Sequence, residues 1–407
     1  MSDDLIENNY SKLSLPVGKI KTPKFLYIIL IILGVLVLIV GGLSLYLKNI
    51  KKSTEKSTKN VEVVDNKTMA NKASGGTKLS STNDVPEISN KLISWLDKQR
   101  DNRGVYSENE TCDNGVCNNG SSSNRSGFSV LNGKVMYEKK INQSIIDDLN
   151  KYANKDIVQV IQSNYLICNF LYDLYFYPNA NEEVKNLTEK ICFNVQYELD
   201  SQEDYSAIFN TENAEDTTSL LNKSLQKLEN ILVKKETVNT NSDNFDITRK
   251  YGFYVSEFAT RYKWKNKDED YRGFLVTLNQ FLEEYGNSNS KFKEGEECGL
   301  ALGLITMGET KQITDFKKYG ELIYSKEVIE KNINEMTLRQ MLTCGLLANK
   351  MNDKKMVNSF VNKIIADFYD KNRGCVGQQN PEFVTNIYDV KNNGIFLILL
   401  NSGIKES

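Results

Sequence analysis

From residue 85 to the end of the chain, apolar residues recur at helical spacing, and helices of two kinds alternate. Val357, Phe360, Val361, Ile364, Ile365 and Phe368 form one apolar stripe, and Leu221, Leu225, Leu228 and Leu232 form another; stripes of this width belong to helices that bury one side. The segments CGLALGLITMG and NGIFLILLNSG are apolar nearly all round, the pattern of helices enclosed on every side. The enclosed helices begin at glycines: Gly252 in KYGFYVSEF, Gly299 in ECGLALGL, Gly345 in TCGLLANK and Gly394 in NNGIFLIL, at intervals of 46 to 49 residues. Counting 46 residues back from Gly252 reaches Ser206 in DYSAIFN. The segment NYLICNFLYDLYF lies about 40 residues further back, which makes six apolar helices in all. The first amphipathic helix, opened by Pro86 and carrying Ile88, Leu92, Ile93, Trp95 and Leu96, ends in DNRGVY, and the last ends in DKNRGCV, an echo that supports the count.

One stretch interrupts the helical pattern. Residues 103–140 read as a loop and hairpin insertion, because SGFSVLNGKVMYEK alternates around Asn132-Gly133, the dipeptide suited to a two-residue type I′ turn.

Ahead of the repeats, Phe25 to Leu47 is a run of 23 residues without a charge. At about 1.5 Å per residue it is long enough to cross a bilayer. It is longer than the apolar region of a cleaved signal peptide and runs into Tyr46, Leu47 and Lys48 instead of a small-residue cleavage site. The expected organisation is therefore a polar tail (1–24), a transmembrane helix (25–47), a flexible linker rich in Lys, Ser, Thr and Asn (48–84) and a helical domain (85–407). Lysines flank the span on both sides and do not orient it. Large domains translocate largely regardless of charge, and this places the C-terminal domain outside the cytoplasm as the expected topology.

Composition narrows the chemistry. The net charge of −2 is spread over interspersed Lys, Arg, Asp and Glu, so no basic footprint for nucleic acid exists. There is no histidine, which removes the commonest zinc ligand and the usual base near neutral pH; no metal and no cofactor are expected. Seven cysteines include Cys112 and Cys117, which enclose four residues and are a disulfide candidate, two free thiols in a loop being the alternative. Cys298 and Cys344 occupy equivalent repeat positions beside glycines and read as core packing.

An open solenoid needs polar capping repeats. Here the last helix, Ile395 to Leu400, is among the most apolar, so it must be covered, and a ring that returns it to the first inner helix supplies the cover. The expected fold class is all-α: an (α/α)6 toroid of helical hairpins with a small β-hairpin insertion, preceded by one transmembrane helix. This pattern resembles the six-hairpin glycosidase-like superfamily over residues 85–407; a superhelix of TPR or HEAT type is the structural alternative. The resemblance implies a substrate cleft at the end of the ring where inner helices begin. Asp204, Asp246, Glu296, Glu297, Glu335 and Asp389 lie near those starts. Glu297 and Asp389 are the candidate catalytic pair, with Tyr388 and Trp264 as sugar-stacking platforms, although acids in a first helical turn also serve as caps and dipole partners. Zinc-dependent toroid enzymes use Asp, Cys and His, a set this chain lacks the histidine to complete, and the aspartate-rich signature of terpenoid cyclases is absent. GCVGQQN resembles the thioester motif in which a cysteine bonds a glutamine three places on, here Cys375 and Gln378. The expected function is a membrane-anchored extracytoplasmic protein acting on cell-envelope or extracellular carbohydrate, as a glycoside hydrolase. The alternative is a non-catalytic binding or scaffold module for a glycan or peptide. Two carboxylates about 5 to 10 Å apart in one cleft distinguish the first from the second.

Overall fold

The computed structural model describes residues 84–101, 103–113, 116–122, 125–153, 159–161, 166–197, 215–234, 251–287, 295–380 and 385–403. The chain divides into two units, Met1–Ala73 and Ser74–Ser407, and every described residue belongs to the second. The apolar run from Phe25 to Leu47, the tail before it and the linker up to residue 83 lie outside the described residues. Among those described, no helix is long and apolar enough to cross a membrane.

Six inner helices can be traced among the described residues: α2 (Gly127–Glu138), α4 (Ile167–Tyr175), α7 (Tyr251–Lys265), α9 (Glu296–Lys311), α11 (Leu338–Lys350) and α13 (Val390–Gly403). Each packs on the next, α2 on α4, α4 on α7, α7 on α9, α9 on α11 and α11 on α13, and α13 returns to α2. The ring is closed, which excludes the open superhelix. Outside it run α1 (Asp84–Lys98), α3 (Gln143–Ala153), α5 (Glu182–Phe193), α8 (Asp268–Asn287), α10 (Thr314–Tyr324) and α12 (Lys354–Phe368). A further helix, α6 (Thr217–Leu228), packs on the outside of α8. Outer helices bury one stripe, as α12 does with Val357, Phe360, Val361, Ile364 and Ile365, whereas α9 is buried without interruption from Glu296 to Gly308.

Small residues bring the inner backbones together. At the closing seam, a Cβ on Gly394 would stand 2.6 Å from the Val130 amide nitrogen, and one on Gly133 would stand 2.9 Å from the Gly394 carbonyl oxygen. Ser129 Oγ donates to the Lys391 carbonyl across the same seam at 3.0 Å. Between α7 and α9, Gly303 faces the backbone of Val255 and Ser256 in the same way. These matching heights show that the inner helices on each side of a seam run in the same direction.

A four-stranded antiparallel sheet of order β2-β1-β8-β7 covers the start of α13; its strands are β1 (Asn109–Asp113), β2 (Val116–Asn119), β7 (Gln378–Asn380) and β8 (Thr385–Asp389). Two short pairs complete the β-structure: β3 (Gln159–Ile161) with β4 (Val195–Tyr197), and β5 (Tyr369–Asp370) with β6 (Cys375–Val376). Asn393 docks the sheet region on the ring, its amide donating to the Val376 carbonyl and its Oδ1 accepting from the Val376 N–H, both at 2.8 Å.

One expected element needs correction. The hairpin at Asn132-Gly133 does not form; those residues lie in α2, which is buried from Gly127 to Val135 and is the first inner helix. A strand pair there would need alternating exposure, and the site offers none, while Gly133 is required as the small residue of a helix crossing. The hairpin within 103–140 is instead β1–β2, closed by a Cys112–Cys117 disulfide between directly paired residues. DYSAIFN, taken as an inner helix, lies outside the described residues, and α2 supplies the sixth member of the ring.

Cys298 and Cys344 are bonded to each other and tie α9 to α11, which revises their reading as packed thiols; Cys168–Cys192 ties α4 to α5. Cys375 is free and buried.

Candidate functional site

At the end of the ring where inner helices begin, the residues singled out in the sequence are placed separately. Glu297, in the first turn of α9, is fully buried, with Lys331 Nζ 3.7 Å from Oε1. Burial raises its pKa, opposed by its own backbone N–H, the Lys331 charge and the Gln340 side chain. Asp389 ends β8, and its Oδ1 accepts the Asn392 N–H at 2.7 Å, so it serves as an N-terminal cap of α13. The helices they introduce are not neighbours, since α11 stands between α9 and α13. Tyr388 is buried, donates its hydroxyl to Asp370 Oδ2 at 2.9 Å and carries the Arg373 guanidinium over its ring at 5.1 Å, which leaves no free face for a sugar. Of the other acids near these starts, Glu296 is buried, Glu335 is exposed in a short 3-10 turn, and Asp204 and Asp246 lie outside the described residues. Cys375 is buried and burial raises its thiol pKa, while Gln378 is exposed; the two are not joined.

Trp264 belongs to the opposite end. It sits in the last turn of α7 within an aromatic cluster, 4.9 Å from the Tyr175 ring, 5.7 Å from Tyr172 and 5.8 Å from Phe193. Phe176, 56% exposed, extends this cluster outward and lies 4.5 Å from Tyr172.

Beside that cluster the interior of the ring holds a cavity of about 370 Å³ to which all six inner helices contribute. That volume suits a small ligand of about one sugar ring or two. Its wall is mixed: Asn132, Asn169, Asp173, Thr260, Thr306 and Asn349 offer polar atoms, and Leu166, Phe170, Leu302, Leu346 and Ile398 form the apolar part. Asn169 donates to Ser256 Oγ at 3.1 Å and Thr260 Oγ1 at 2.9 Å, which fixes the α4–α7 side. Asn132 donates to Asp173 Oδ2 at 3.1 Å across α2 and α4. Lys263 and Lys350 also line it, the first over the Tyr172 ring at 4.7 Å and the second paired with Glu309 at 3.1 Å.

Asp173 is the one acidic residue in that lining. It keeps an open surface toward the cavity, yet the crowded ring desolvates its carboxyl and raises its pKa to about 6, against the lowering effect of the Asn132 hydrogen bond and the two lysines. A carboxyl of that pKa changes charge near neutral pH. The cavity therefore has a proton-exchanging group, two ammonium groups and several amide and hydroxyl donors, bordered by aromatic rings.

No motif announces this site, because each helix contributes only one to four residues. The available signal is a polar pair at helical spacing on an otherwise apolar helix, Asn169 and Asp173 in NYLICNFLYDLYF, with Thr260 and Lys263 its counterpart on α7.

Between α4 and α7 a second carboxyl is enclosed. Glu257 is fully buried, Oε2 accepts the Cys168 N–H at 2.9 Å and Oε1 has no hydrogen-bond partner among the described residues. Burial raises its pKa to about 8, opposed by that N–H and by Arg261. The folded chain thus holds this proton more tightly than the unfolded chain, whose carboxyl titrates near 4.5, so the site's contribution is full below pH 4.5 and is lost as pH rises toward 8. Between pH 5 and pH 7 the loss is about 2 to 3 kcal/mol. Glu257→Gln, which keeps an acceptor for Cys168, is expected to flatten this dependence, checked by denaturant unfolding at both pH values; equal slopes for the two proteins would refute the assignment.

No family model matches the chain, and no curated protein matches it. Crystal structures of two mutants of an unsaturated glucuronyl hydrolase from Streptococcus agalactiae are similar to it over 81% and 82% of this chain and 93% and 94% of theirs, at 11% identity and TM-scores of 0.34 and 0.35. Among the described residues, the closed circuit of helix contacts itself defines the architecture: six inner and six outer helices forming an (α/α)6 toroid.

Proposed function

We propose that this chain is a membrane-tethered, extracytoplasmic toroid that binds a glycan by taking a terminal sugar into the lumen of the ring, at the end where the inner helices finish. The observation that carries this reading is the cavity itself, sized for a sugar, lined by amide and hydroxyl groups and bordered by Tyr172, Tyr177 and the exposed Phe176. Apolar faces of sugars stack on such rings while their hydroxyls pair with such donors. The uncharged run from Phe25 to Leu47 supports the tether, and three disulfides among the described residues support an oxidising compartment.

Glycoside hydrolysis is the second reading. A pKa of about 6 suits Asp173 to donate a proton, but cleavage by the two-carboxyl mechanism needs a partner acid, and the lining holds no other. Binding is accordingly the preferred activity.

The test is a glycan-binding and turnover screen of the full-length protein, beside Met136→Trp, which fills the lumen, and Phe176→Ala, which removes the outer ring. Met136→Trp is expected to abolish binding, and Phe176→Ala to weaken it about tenfold. Binding unaffected by Met136→Trp would place the site elsewhere, and release of free sugar would favour hydrolysis.

A further inference from the structure

The disulfides among the described residues are not equivalent. Cys168, Cys192, Cys298 and Cys344 are all fully buried, so those two bonds are sealed from solvent. Cys112–Cys117 lies in the four-stranded sheet; Cys112 is buried, whereas Cys117 is partly open to solvent and follows Val116, which is 66% exposed. Cys117 also has a cation against its sulfur. Arg373 donates from Nη2 to Cys117 Sγ and from Nη1 to Glu110 Oε2, the latter at 2.6 Å. The guanidinium is fixed there: the Tyr388 ring lies under it at 5.1 Å, Glu110 Oε2 also accepts the Trp95 Nε1–H at 3.1 Å, and Gly374, at φ +77°, seats the turn that carries Arg373 against Lys91 of α1. A positive charge in contact with a sulfur stabilises its thiolate, the reactive form in disulfide exchange.

The sheet holds the two sulfurs together in either redox state, because Cys112 and Cys117 are directly paired across β1 and β2 and β1 is backed by β8. β2 ends the sheet, and its pairing to β1 continues through the bridge between Ser107 and Ser122. From Val116 to Ser122 this edge reads VCNNGSS, without the charges or proline that keep edges from pairing. An edge of this kind accepts an extended polypeptide as a further strand, and Val116 offers it an apolar contact beside the Cys117 sulfur.

We propose that Cys112–Cys117 is an exchangeable disulfide that oxidises a cysteine pair of an extended polypeptide docked along β2, with Arg373 holding the Cys117 thiolate. A thiolate of the polypeptide attacks Cys117 Sγ, the sulfur open to solvent; the S–S bond breaks, and its electron pair leaves on Cys112 Sγ, which takes a proton from water. The second thiol of the polypeptide then attacks the polypeptide's own sulfur in the mixed disulfide, and Cys117 leaves as a thiolate against Arg373. Two electrons pass from the polypeptide, which gains a disulfide, to Cys112 and Cys117; of the two thiol protons, one is balanced by that on Cys112 and the other goes to solvent. This activity is independent of ligand binding in the lumen.

The experiment mixes the oxidised full-length protein with a short reduced peptide of β-branched residues bearing two cysteines, or with glutathione at equal thiol concentration, and follows each disulfide by alkylation and mass spectrometry. Cys112 and Cys117 are expected to be reduced while the two buried bonds stay oxidised, and the peptide to react about tenfold or more faster than glutathione. Arg373→Met should shift the equilibrium with glutathione about tenfold toward the disulfide, and Arg373→Lys, which keeps the charge, by less. Cys112→Ser mixed with the oxidised peptide should retain it on Cys117, whereas Cys117→Ser should retain none on the buried Cys112. Glutathione reacting as fast as the peptide would overturn the docked polypeptide, and an unchanged equilibrium in Arg373→Met would overturn the role of the guanidinium. Reduction of all the bonds together, or of Cys112–Cys117 after the others, would overturn the exchange site as a whole.

Discussion

Gly394→Val should destabilise the folded chain by at least about 3 kcal/mol, on the order of a hundredfold in the ratio of folded to unfolded protein. The reason is the seam where α13 meets α2. A β-carbon at position 394 stands 2.4 Å from Ser129 Oγ, 2.6 Å from the Val130 nitrogen and 2.7 Å from the Ser129 carbonyl carbon. Two of those atoms are backbone inside an enclosed helix, so no rotamer change relieves the contact, and one helix must move away from the other. Movement at this seam opens the ring, because α13 and α2 are its last and first inner members. Gly403→Ala is the control: its β-carbon meets the end of the Asn358 side chain, which can swing aside, and a cost below about 1 kcal/mol is expected. Denaturant unfolding of the three proteins compares the two; equal effects at 394 and 403 would show that the seam is not closed as described.

The second large effect is expected at Cys298–Cys344. The bond joins adjacent inner helices across a sequence separation of 46 residues. Constraining a loop of that length in the unfolded chain contributes about 4 kcal/mol. Cys298→Ala with Cys344→Ala should lower stability by roughly that amount, measured against wild type by denaturant titration without reductant. Wild type in reductant should approach the variant, and mass spectrometry of protein alkylated in intact cells should find these cysteines bonded. Finding them reduced in cells, or the variant as stable as wild type, would count against both the staple and an oxidising compartment.

The ring was legible in the sequence because its signal is repeated. Gly252, Gly299, Gly345 and Gly394 recur at a near-constant interval, and each opens a run too apolar to face water. The same interval separates Cys298 from Cys344, placing two thiols at one height on neighbouring helices, so their bond was open to inference from the period. The first inner helix was hidden because Asn132-Gly133 has strong local turn chemistry that tertiary packing overrides; its glycine serves a helix crossing. Cys168 and Cys192 carry no pairing signal at all, since nothing in the spacing shows that α4 and α5 lie side by side.

The site was less legible than the fold. Glu297 and Asp389 drew attention as acids at helix starts, where capping and burial are the commoner roles, and Asp389 does cap α13. The cavity is assembled from one to four residues on each of six helices far apart in sequence, and Asp173 gains its unusual pKa from helices that only the fold brings near it. Trp264 lies at the end of the ring that holds the cavity, as a member of the aromatic cluster beside it.

Hydrogen exchange of the full-length protein, with and without a saturating concentration of the tightest-binding sugar, tests directly which end of the ring is used. Protection is expected in the segments around Met136, from Tyr172 to Tyr177, around Thr260 to Trp264 and from Leu346 to Lys350. Protection confined to the segments around Glu297, Gln340 and Asp389, where the inner helices begin, would contradict it.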